Sequence, residues 1–233
     1  DGLDAALAGL PPPPAVDLAG SYAMLIPGIG GTGITTLAAI LAMAAHLDGR
    51  AASVFDMTGM AQKGGAVLSH LRIARDPAQL GAPKIGALGA DLVLGCDLLV
   101  AAGPDVLRCV DAGRTRAAVN ARLTPTADFQ LRPDIDFGAD ALAARVREAV
   151  GAARCDLLDA TEAAKRLLGD TVAANMLLLG YALQRGLLPL GLESIERAVE
   201  LNGVAVALNR RALALGRLAA AAPDRFAALL GDG

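Results

Sequence analysis

The sequence predicts an α/β fold that starts like a Rossmann domain, forms a mixed sheet with an antiparallel third strand, and ends in a helical C-terminal portion. Short apolar strands alternate with helical segments through about residue 160. A glycine-rich loop follows the first strand, and only helical patterns remain from Thr161 onward. We therefore expect an arm at residues 1–20, an α/β domain at residues 21–160, and helices at residues 161–233 that pack on the same domain.

The elements are predicted from local patterns of apolar residues, glycine and proline. The stretch "LPPPP" (Leu10–Pro14) favours an extended polyproline II arm. The predicted strands are Tyr22–Ile26 (ended by Pro27), Ala52–Phe55, Ala66–Ile73, Asp91–Leu94, Ala117–Asn120 and Asp156–Leu158. The predicted helices before the C-terminal portion are Thr35–His46, Leu98–Ala112 and Ala139–Ala152.

Composition excludes several classes of function. Of 233 residues, 54% are hydrophobic and 19% are charged, so a large core can form. The net charge of −3 argues against a nucleic-acid partner. Apolar stretches such as Val172–Leu183 are shorter than the ~20 residues of a membrane helix, so no membrane partner is expected.

The surplus of Ala and Leu favours large interfaces and a homo-oligomer. Because the first residue is Asp1 and not Met, we expect a piece of a longer polypeptide.

Cysteine and histidine usage predicts no metal site. Cys96, Cys109 and Cys155 form no C-x-x-C pair, which favours reduced thiols in a cytoplasmic protein over a zinc ribbon or iron–sulfur cluster. The two histidines show no metal-ligand spacing with glutamate. His70, in the middle of a predicted strand with Arg72 on the same face, is expected at an interface or in solvent.

The stretch "YAMLIPGIGGTGITT" (residues 22–36) raises the main functional question. Gly28, Gly30 and Gly33 fit G-x-G-x-x-G between a strand and a helix, where helix N-terminal amides can bind an anion. Asp56 ends the next strand 23 residues after Gly33, where a ribose-binding acid is expected. These local rules leave open a nicotinamide dinucleotide, another anionic ligand, or a turn that serves only packing.

The connection after Asp56 argues against the dinucleotide. Only nine residues separate Asp56 from Ala66, and they include three glycines. A parallel crossover needs about a dozen residues or more, usually with a helix. The third strand is therefore predicted to be antiparallel to the second, which disfavours an NAD(P)-dependent dehydrogenase.

The loop "MTGMAQKGGAV" (Met57–Val67) is the second unusual feature. Gln62 can donate and accept hydrogen bonds, and Lys63 supplies a positive charge. If this loop lies beside the first one, the two form a concave site for a carboxylate or phosphate. The alternative is a surface turn with a solvated Lys63.

Five blocks in order make both loops recognisable: "GIGGTGITTLAAILAMAAHLDG", "DMTGMAQKGGAVLSHLRIA", "ADLVLGCDLLVAA", "RTRAAVN" and "LLGDTVAANMLLLGYALQRGLLPL…SIERAVELNGVAVALNRRAL". They resemble the gamma domain of 2-oxoacid:ferredoxin oxidoreductases, and specifically the indolepyruvate ferredoxin oxidoreductase branch, where this domain lies inside a fused chain. The resemblance spans about Tyr22 to Ala222. Thr32 replaces the usual glutamine of the first loop, and Ala61 and Lys63 replace the glutamate and arginine of the second.

The resemblance implies oxidative decarboxylation of a 2-oxo acid, with coenzyme A as acyl acceptor and ferredoxin as electron acceptor. It implies thiamine diphosphate and 4Fe–4S clusters on thiamine-diphosphate and ferredoxin-like domains of the same enzyme, because this chain carries the motifs of neither. The domain is therefore expected to assist the carbanion and electron chemistry without performing it, and its catalytic residues are unknown. A purely structural interface module remains an alternative.

The residues expected to help bind coenzyme A lie in the two loops and at one strand end. They are Gly28, Gly30, Gly31, Thr32, Gly33, Gln62, Lys63, Gly64, Gly65 and Asn120. Asn120 is included because ligands of open α/β sheets bind at the carboxyl edge. Asp97 and Asn175 are further candidates of lower weight.

Overall fold

The computed structural model describes residues 2–59, 65–123 and 138–231. Its six strands form one mixed sheet in the order β2-β3-β1-β4-β5-β6. The strands are β1 Tyr22–Ile29, β2 Ala51–Thr58, β3 Ala66–Ala74, β4 Leu92–Gly95, β5 Arg116–Asn120 and β6 Cys155–Leu158. The helices are α1 Gly2–Leu7, α2 Ile34–Leu47, α3 Leu98–Ala101, α4 Pro104–Leu107, α5 Ala139–Val150, α6 Ala160–Leu168, α7 Ala174–Gln184, α8 Leu192–Asn202, α9 Val206–Ala221 and α10 Pro223–Gly231.

Strand β3 lies between β1 and β2 and is antiparallel to both, so the predicted mixed sheet is confirmed. The short connection after Asp56 brings the chain straight back as a hairpin, without a crossover helix. Asp56 therefore lies on the edge strand, two strands away from β1, where its carboxylate accepts a hydrogen bond from Ser69. A dinucleotide site needs this acid beside the first glycine loop, so the sheet order contradicts the dehydrogenase alternative.

Two predicted boundaries are wrong at a proline, and the predicted strand Ala52–Phe55 extends in the structure to Thr58. Strand β1 continues through Pro27 to Ile29. Pro27 has no amide to donate, but its carbonyl accepts a hydrogen bond from Cys96 N at 2.9 Å, so the pairing is kept. The predicted helix Leu98–Ala112 is two short helices, because Pro104 forces extended geometry on Gly103.

The sheet separates two apolar layers, as the alternation of side chains along a strand requires. Met24 and Leu71 face the layer of α2, α7, α8 and α9. Leu25 and Leu68 face the opposite layer, which α3, α4 and α5 cover. Helices α2, α7, α8 and α9 contribute to one continuous core with the sheet, so the C-terminal helices pack directly on the α/β part.

Helices α7 and α9 cross with their backbones in contact. A Cβ added to Gly180 would lie 2.0 Å from the Leu213 carbonyl oxygen, and one added to Gly216 would lie 1.8 Å from that of Leu177. Only glycine fits at either position, because any other side chain would push the helices apart. This crossing holds the C-terminal layer together.

The N-terminal arm packs on these two helices. The carbonyl of Pro11 accepts hydrogen bonds from Arg217 Nη2 at 2.8 Å and from Gln184 Nε2 at 3.2 Å. Arg217 Nε donates to Gln184 Oε1 at 2.9 Å. Arg217 is buried, and this burial lowers the pKa of its guanidinium. A buried charge is thus surrounded here by neutral acceptors, one of which belongs to the arm.

His70 is buried, at 1% exposure, so the expectation of an interface or solvent position was wrong. Its Nδ1 accepts a hydrogen bond from Ile85 N at 3.1 Å, and its Nε2 has no partner among the described residues. Burial, followed by the charges of Lys84 and Arg72, lowers the pKa of His70 to about 4. The ring is therefore neutral at pH 7.

None of the described helices is long and apolar enough to cross a membrane.

Candidate functional site

The first glycine loop lies between the carboxyl end of β1 and the start of α2. Gly31 and Gly33 have φ angles of +82° and +86°, a left-handed conformation that favours glycine. A Cβ at either position would meet no described atom within 4 Å, so both α-carbons face open space. Gly28 is different, because a Cβ there would lie 2.2 Å from the Ile34 side chain. The structure thus places Gly28 against the core and Gly31 and Gly33 at the surface.

The two glycine loops touch. The Gly30 amide donates to the Gly65 carbonyl at 2.8 Å, and the Gly59 amide donates to the Ala66 carbonyl at 2.8 Å. The end of the second loop, at Gly65, therefore lies beside the first loop, and the Gly59–Ala66 bond closes the second loop on itself. Gln62, Lys63 and Gly64 lie outside the described residues, so their roles remain predictions.

Not all amides of the first loop are available to a ligand. Gly30 N is bonded to Gly65, and Thr32 N donates to the Ile29 carbonyl at 3.2 Å. The Thr32 hydroxyl donates to the same carbonyl at 2.7 Å. The amides of Gly31 and Gly33 donate to no other described residue. Together with the open first turn of α2, they are the free donors of this loop.

A cavity of about 700 Å³ lies beyond the carboxyl ends of β4 and β5. Its walls include Gly31 and Thr32 of the loop and Cys96, Asn120 and Arg122 at or just beyond strand ends. Thr161 of α6, Asn175 of α7, and Asp170 and Val172 from the connection between these helices complete them. The position is the usual one for ligands of open α/β sheets. A cavity of this volume is within the range of small-molecule and cofactor sites, ~300–1,000 Å³.

The charged residues that line this cavity are Arg122 and Asp170. Arg122 Nη1 lies 3.5 Å from Asp159 Oδ2 and 3.9 Å from Glu162 Oε2, and all three side chains are partly exposed. Burial raises the pKa of the Cys96 thiol, which therefore stays protonated and is a poor nucleophile. The cavity can bind and orient a ligand, but its described residues include no activated nucleophile.

Asn120 lines this cavity with its polar atoms already engaged. Its Nδ2 donates to Thr161 Oγ1 at 2.8 Å and to the Cys96 carbonyl at 3.4 Å. Its Oδ1 accepts from the amides of Ala160 at 3.2 Å and Arg122 at 3.4 Å. Asn120 therefore joins β4, β5 and α6 and supports the cavity wall.

The two lower-weight candidates are also held by the fold. Asp97 Oδ1 accepts from Val100 N at 3.0 Å and caps α3. Asn175, in the first turn of α7, donates from Nδ2 to the Thr32 carbonyl at 2.7 Å. The contact between Asn175 and Thr32 joins residues 143 positions apart. No local pattern in the sequence signals such a contact.

Two further cavities adjoin the loops. One of about 170 Å³ lies beside α2 and is lined by Gly33, Thr36, Val172 and Val204. The other, of about 470 Å³, lies on the opposite face of the sheet; its mostly apolar lining includes Met57, Gly65, Leu99 and Asp105. The paired loops thus separate cavities on the two faces of the sheet.

The described residues include no group of three or more histidine, cysteine, aspartate or glutamate side chains that could hold a metal ion. Cys96, Cys109 and Cys155 are buried free thiols. Their spacing forms no C-x-x-C pair of the kind that ligates an iron–sulfur cluster.

Comparison with known sequences identifies a family and two relatives that align with this chain over most of their own length. The profile of the family described as "Pyruvate ferredoxin/flavodoxin oxidoreductase" matches residues 23–219. The indolepyruvate oxidoreductase subunit IorB of Archaeoglobus fulgidus is 28% identical over 201 residues, covering 83% of this chain and 92% of that subunit. The subunit of the same name from Thermococcus kodakarensis is 28% identical over 203 residues, covering 85% and 96%.

Comparison with solved structures gives the same fold. Pyruvate oxidoreductase subunit PORC from Thermotoga maritima has a TM-score of 0.60 at 23% identity, covering 85% of this chain and 96% of that one. The gamma subunit of a keto/oxoacid ferredoxin oxidoreductase from Geobacter sulfurreducens scores 0.57 at 22% identity, covering 85% and 98%. A 2-oxoglutarate:ferredoxin oxidoreductase from Magnetococcus marinus, solved with 2-oxoglutarate, coenzyme A and succinyl-CoA bound, scores 0.60 at 18% identity, covering 86% of this chain and 31% of that one.

Proposed function

Because the chain belongs to the pyruvate ferredoxin/flavodoxin oxidoreductase family, we propose that it is the gamma domain of a 2-oxoacid:ferredoxin oxidoreductase that acts on indolepyruvate or another arylpyruvate. In that reaction a 2-oxo acid and coenzyme A give an acyl-CoA and carbon dioxide. The two electrons released pass one at a time to ferredoxin. The indolepyruvate assignment is supported by the two relatives that carry that name at 28% identity.

The chemistry of the reaction is shared with other domains. Thiamine diphosphate supplies carbanion stabilisation and iron–sulfur clusters carry the electrons. We assign both to thiamine-diphosphate and ferredoxin-like domains of the same enzyme, since the described residues of this chain offer no cluster ligands. This chain contributes binding and orientation.

The observation that carries the proposal is the pair of free amides in the first loop, beside the cavity at the carboxyl edge. Gly31 and Gly33 have no internal acceptor among the described residues, and they precede the N-terminus of α2. Such a helix terminus attracts a phosphate group by ~0.3–1 kcal/mol, and by more when partly buried. We propose that a phosphate of coenzyme A binds here, with Lys63 of the second loop as a second positive charge.

Asn120 has a different role in this proposal from the one expected from sequence. Its amide is fully used by Thr161, Cys96, Ala160 and Arg122, so it holds the wall of the cavity while ligand contacts fall to its neighbours. Gly28 likewise supports the site from below, because its α-carbon faces Ile34. The proposed direct contacts are therefore Gly31, Gly33 and Lys63.

The test is reconstitution of the enzyme from this chain and its companion domains. We expect ferredoxin reduction that requires coenzyme A and that is faster with indolepyruvate than with pyruvate or 2-oxoglutarate. Titrating the chain with coenzyme A, NADH and NADPH then separates the alternatives. Binding of NADH alone would support a dehydrogenase. Full activity without binding of any of these ligands to this chain would support a structural module.

A further inference from the structure

The contact between Asn175 and Thr32 fastens the first glycine loop to the C-terminal helices. Asn175 Nδ2 donates to the Thr32 carbonyl oxygen at 2.7 Å, within the range of a strong amide hydrogen bond. Asn175 lies in the first turn of α7, and this helix is itself fixed by its close crossing with α9 at Gly180 and Gly216. The loop is therefore anchored to one of the most tightly packed parts of the molecule.

This contact determines the direction of a free donor. The peptide bond between Thr32 and Gly33 is trans, as are all peptide bonds described, so its carbonyl and its amide point in opposite directions. Since Asn175 holds the carbonyl on the side of α7, the Gly33 amide must point to the other side of the loop. Rotation of this peptide would turn the amide away and present a carbonyl oxygen, which repels an anion.

The other hydrogen bonds of the loop do not restrain this peptide. Gly30 N is held by Gly65, and the Ile29 carbonyl is held by the amide and hydroxyl of Thr32. These bonds fix the beginning of the loop. Gly33 has a left-handed φ, and as a glycine it tolerates several conformations, so its own backbone does not fix the orientation of this peptide. Asn175 is thus the side chain that restrains the loop where the helix begins.

Asn175 and Thr32 also lie in the walls of two cavities, of about 700 Å³ and 170 Å³. Their hydrogen bond is part of the boundary between the two. Loss of the bond would loosen the loop and merge the spaces on its two sides. A ligand held by the loop amides would lose its orientation.

We propose that Asn175 is a positioning residue for the anionic group of coenzyme A. It keeps the Thr32–Gly33 peptide in the orientation in which the Gly33 amide can donate to that group. Asn175 does not touch the ligand in this role. The inference rests on the proposed function, in which the first loop binds a phosphate of coenzyme A.

The decisive variant is Asn175→Asp, which keeps size and shape but cannot donate to the Thr32 carbonyl. Asn175→Gln keeps an amide that can donate to the Thr32 carbonyl, so this variant should retain part of the wild-type behaviour. Gln184→Glu is the matched control, because Gln184 Nε2 also donates to a backbone carbonyl, that of Pro11 at 3.2 Å, and Gln184 is the last residue of α7. It makes the same change from amide to carboxylate at the end of α7 away from the loop.

The measurements are hydrogen exchange of residues 28–37 and steady-state kinetics of the reconstituted enzyme. In Asn175→Asp we expect faster exchange in that segment and a KM for coenzyme A raised about tenfold, as for loss of one hydrogen bond to an aligned donor. The KM for the 2-oxo acid and kcat should change less than about twofold. Asn175→Gln should lie between Asn175→Asp and the wild type, and Gln184→Glu should match the wild type.

The two possible failures are distinguishable. Unchanged exchange of residues 28–37 in a folded Asn175→Asp variant would overturn the positioning role, whatever the kinetics. Faster exchange with an unchanged KM for coenzyme A would support positioning of the loop and overturn the coenzyme A site itself. A thermal unfolding curve for each variant excludes general loss of structure as the cause.

Discussion

The amide of Gly30 donates to the carbonyl of Gly65 at 2.8 Å, and through this bond two loops that are 35 positions apart in the sequence become one structure. A Cβ at Gly30 would lie 3.2 Å from the same carbonyl oxygen, so the approach is close. The first loop has free amides, and in the proposed function Lys63 of the second loop adds a positive charge. The contact between Gly30 and Gly65 supports a single site formed by both loops.

Replacing Gly31 by valine should weaken coenzyme A binding. Its φ of +82° strains any branched residue, and the new side chain would occupy the open space beside the free amides. We expect the KM for coenzyme A to rise by about tenfold or more, a loss of ~1.4 kcal/mol or more. Gly49→Val is the matched control, because Gly49 has a φ of +70° and open space but lies beyond the other end of α2. An equal effect of the two variants would argue for strain alone.

Replacing Lys63 by alanine should weaken coenzyme A without unfolding the chain. The proposed ion pair with a phosphate is worth roughly 0.2–1 kcal/mol if exposed, so a rise of about twofold to fivefold in the KM for coenzyme A is expected. The effect should shrink at high ionic strength, since salt screens exposed charges. Lys84→Ala removes the same charge from an exposed position away from the loops. A KM that responds equally to both variants would point to net charge and not to a site.

Replacing Gly216 by alanine should destabilise the helical layer. The added Cβ would lie 1.8 Å from the Leu177 carbonyl oxygen, so α7 and α9 must separate. We expect a loss of about 3 kcal/mol or more in the free energy of unfolding, at the upper end of overpacking effects. Gly86→Ala is the control, because a Cβ there meets no described atom within 4 Å. A Gly216→Ala chain as stable as Gly86→Ala in urea would contradict the close crossing.

Acidification should destabilise the fold through His70. Its pKa is lowered to about 4 in the folded state, against about 6.5 for a free histidine, so the unfolded chain binds the proton first. Stability contributed by the neutral ring is therefore complete above pH 6.5 and is lost as the pH falls towards 4. The stability lost through protonation of His70 is at most about 3 kcal/mol. The free energy of unfolding in urea should differ less between pH 7 and pH 5 for His70→Gln than for the wild type. Equal pH dependence in both would refute this assignment.

The N-terminal arm should be energetically coupled to Arg217. Deleting residues 1–14 removes the Pro11 carbonyl from a buried guanidinium, which costs about 1–3 kcal/mol beyond lost packing. In the Arg217→Met background this part of the cost should vanish, so a double-mutant cycle should give a coupling of about 1 kcal/mol or more. The exposed Arg225, which donates to the Ala6 carbonyl, provides the control cycle with Arg225→Met. Additive effects of the deletion and of Arg217→Met on the free energy of unfolding would show that the arm does not stabilise the buried guanidinium. If the deletion does not fold, faster proteolysis of the arm in Arg217→Met tests the same contact.

The sequence predicted the sheet better than the packing around it. The antiparallel β3 followed from the nine-residue connection after Asp56, because chain length alone excludes a crossover. The break at Pro104 was missed because the apolar periodicity continues past it, and local backbone restriction prevailed. The burial of His70 was missed because strand alternation does not reveal that the segment around Ile85 covers that face.

Family and site were predictable to different degrees. The five blocks indicated the gamma-type family, and the match over residues 23–219 confirms it. The sequence left open whether the second glycine loop lies beside the first, and the Gly30–Gly65 bond shows that its end does. The anchoring of Thr32 by Asn175 depends on how α7 docks, which no local pattern encodes. Similarly, the polar atoms of Asn120 are used up by neighbours that lie up to 41 positions away.

The outer edge of strand β2 bears on the solubility of the chain when it is purified by itself. It is an edge strand of eight residues, and among the described strands none pairs with its outer side. Val54 and Phe55 are 38% and 39% exposed on its two faces, and it contains neither lysine nor proline. Such an edge is a template for strand addition and aggregation unless another chain covers it. A purified domain without its companions is thus at risk of precipitating along β2, and a lysine in place of Val54 is the simplest protection.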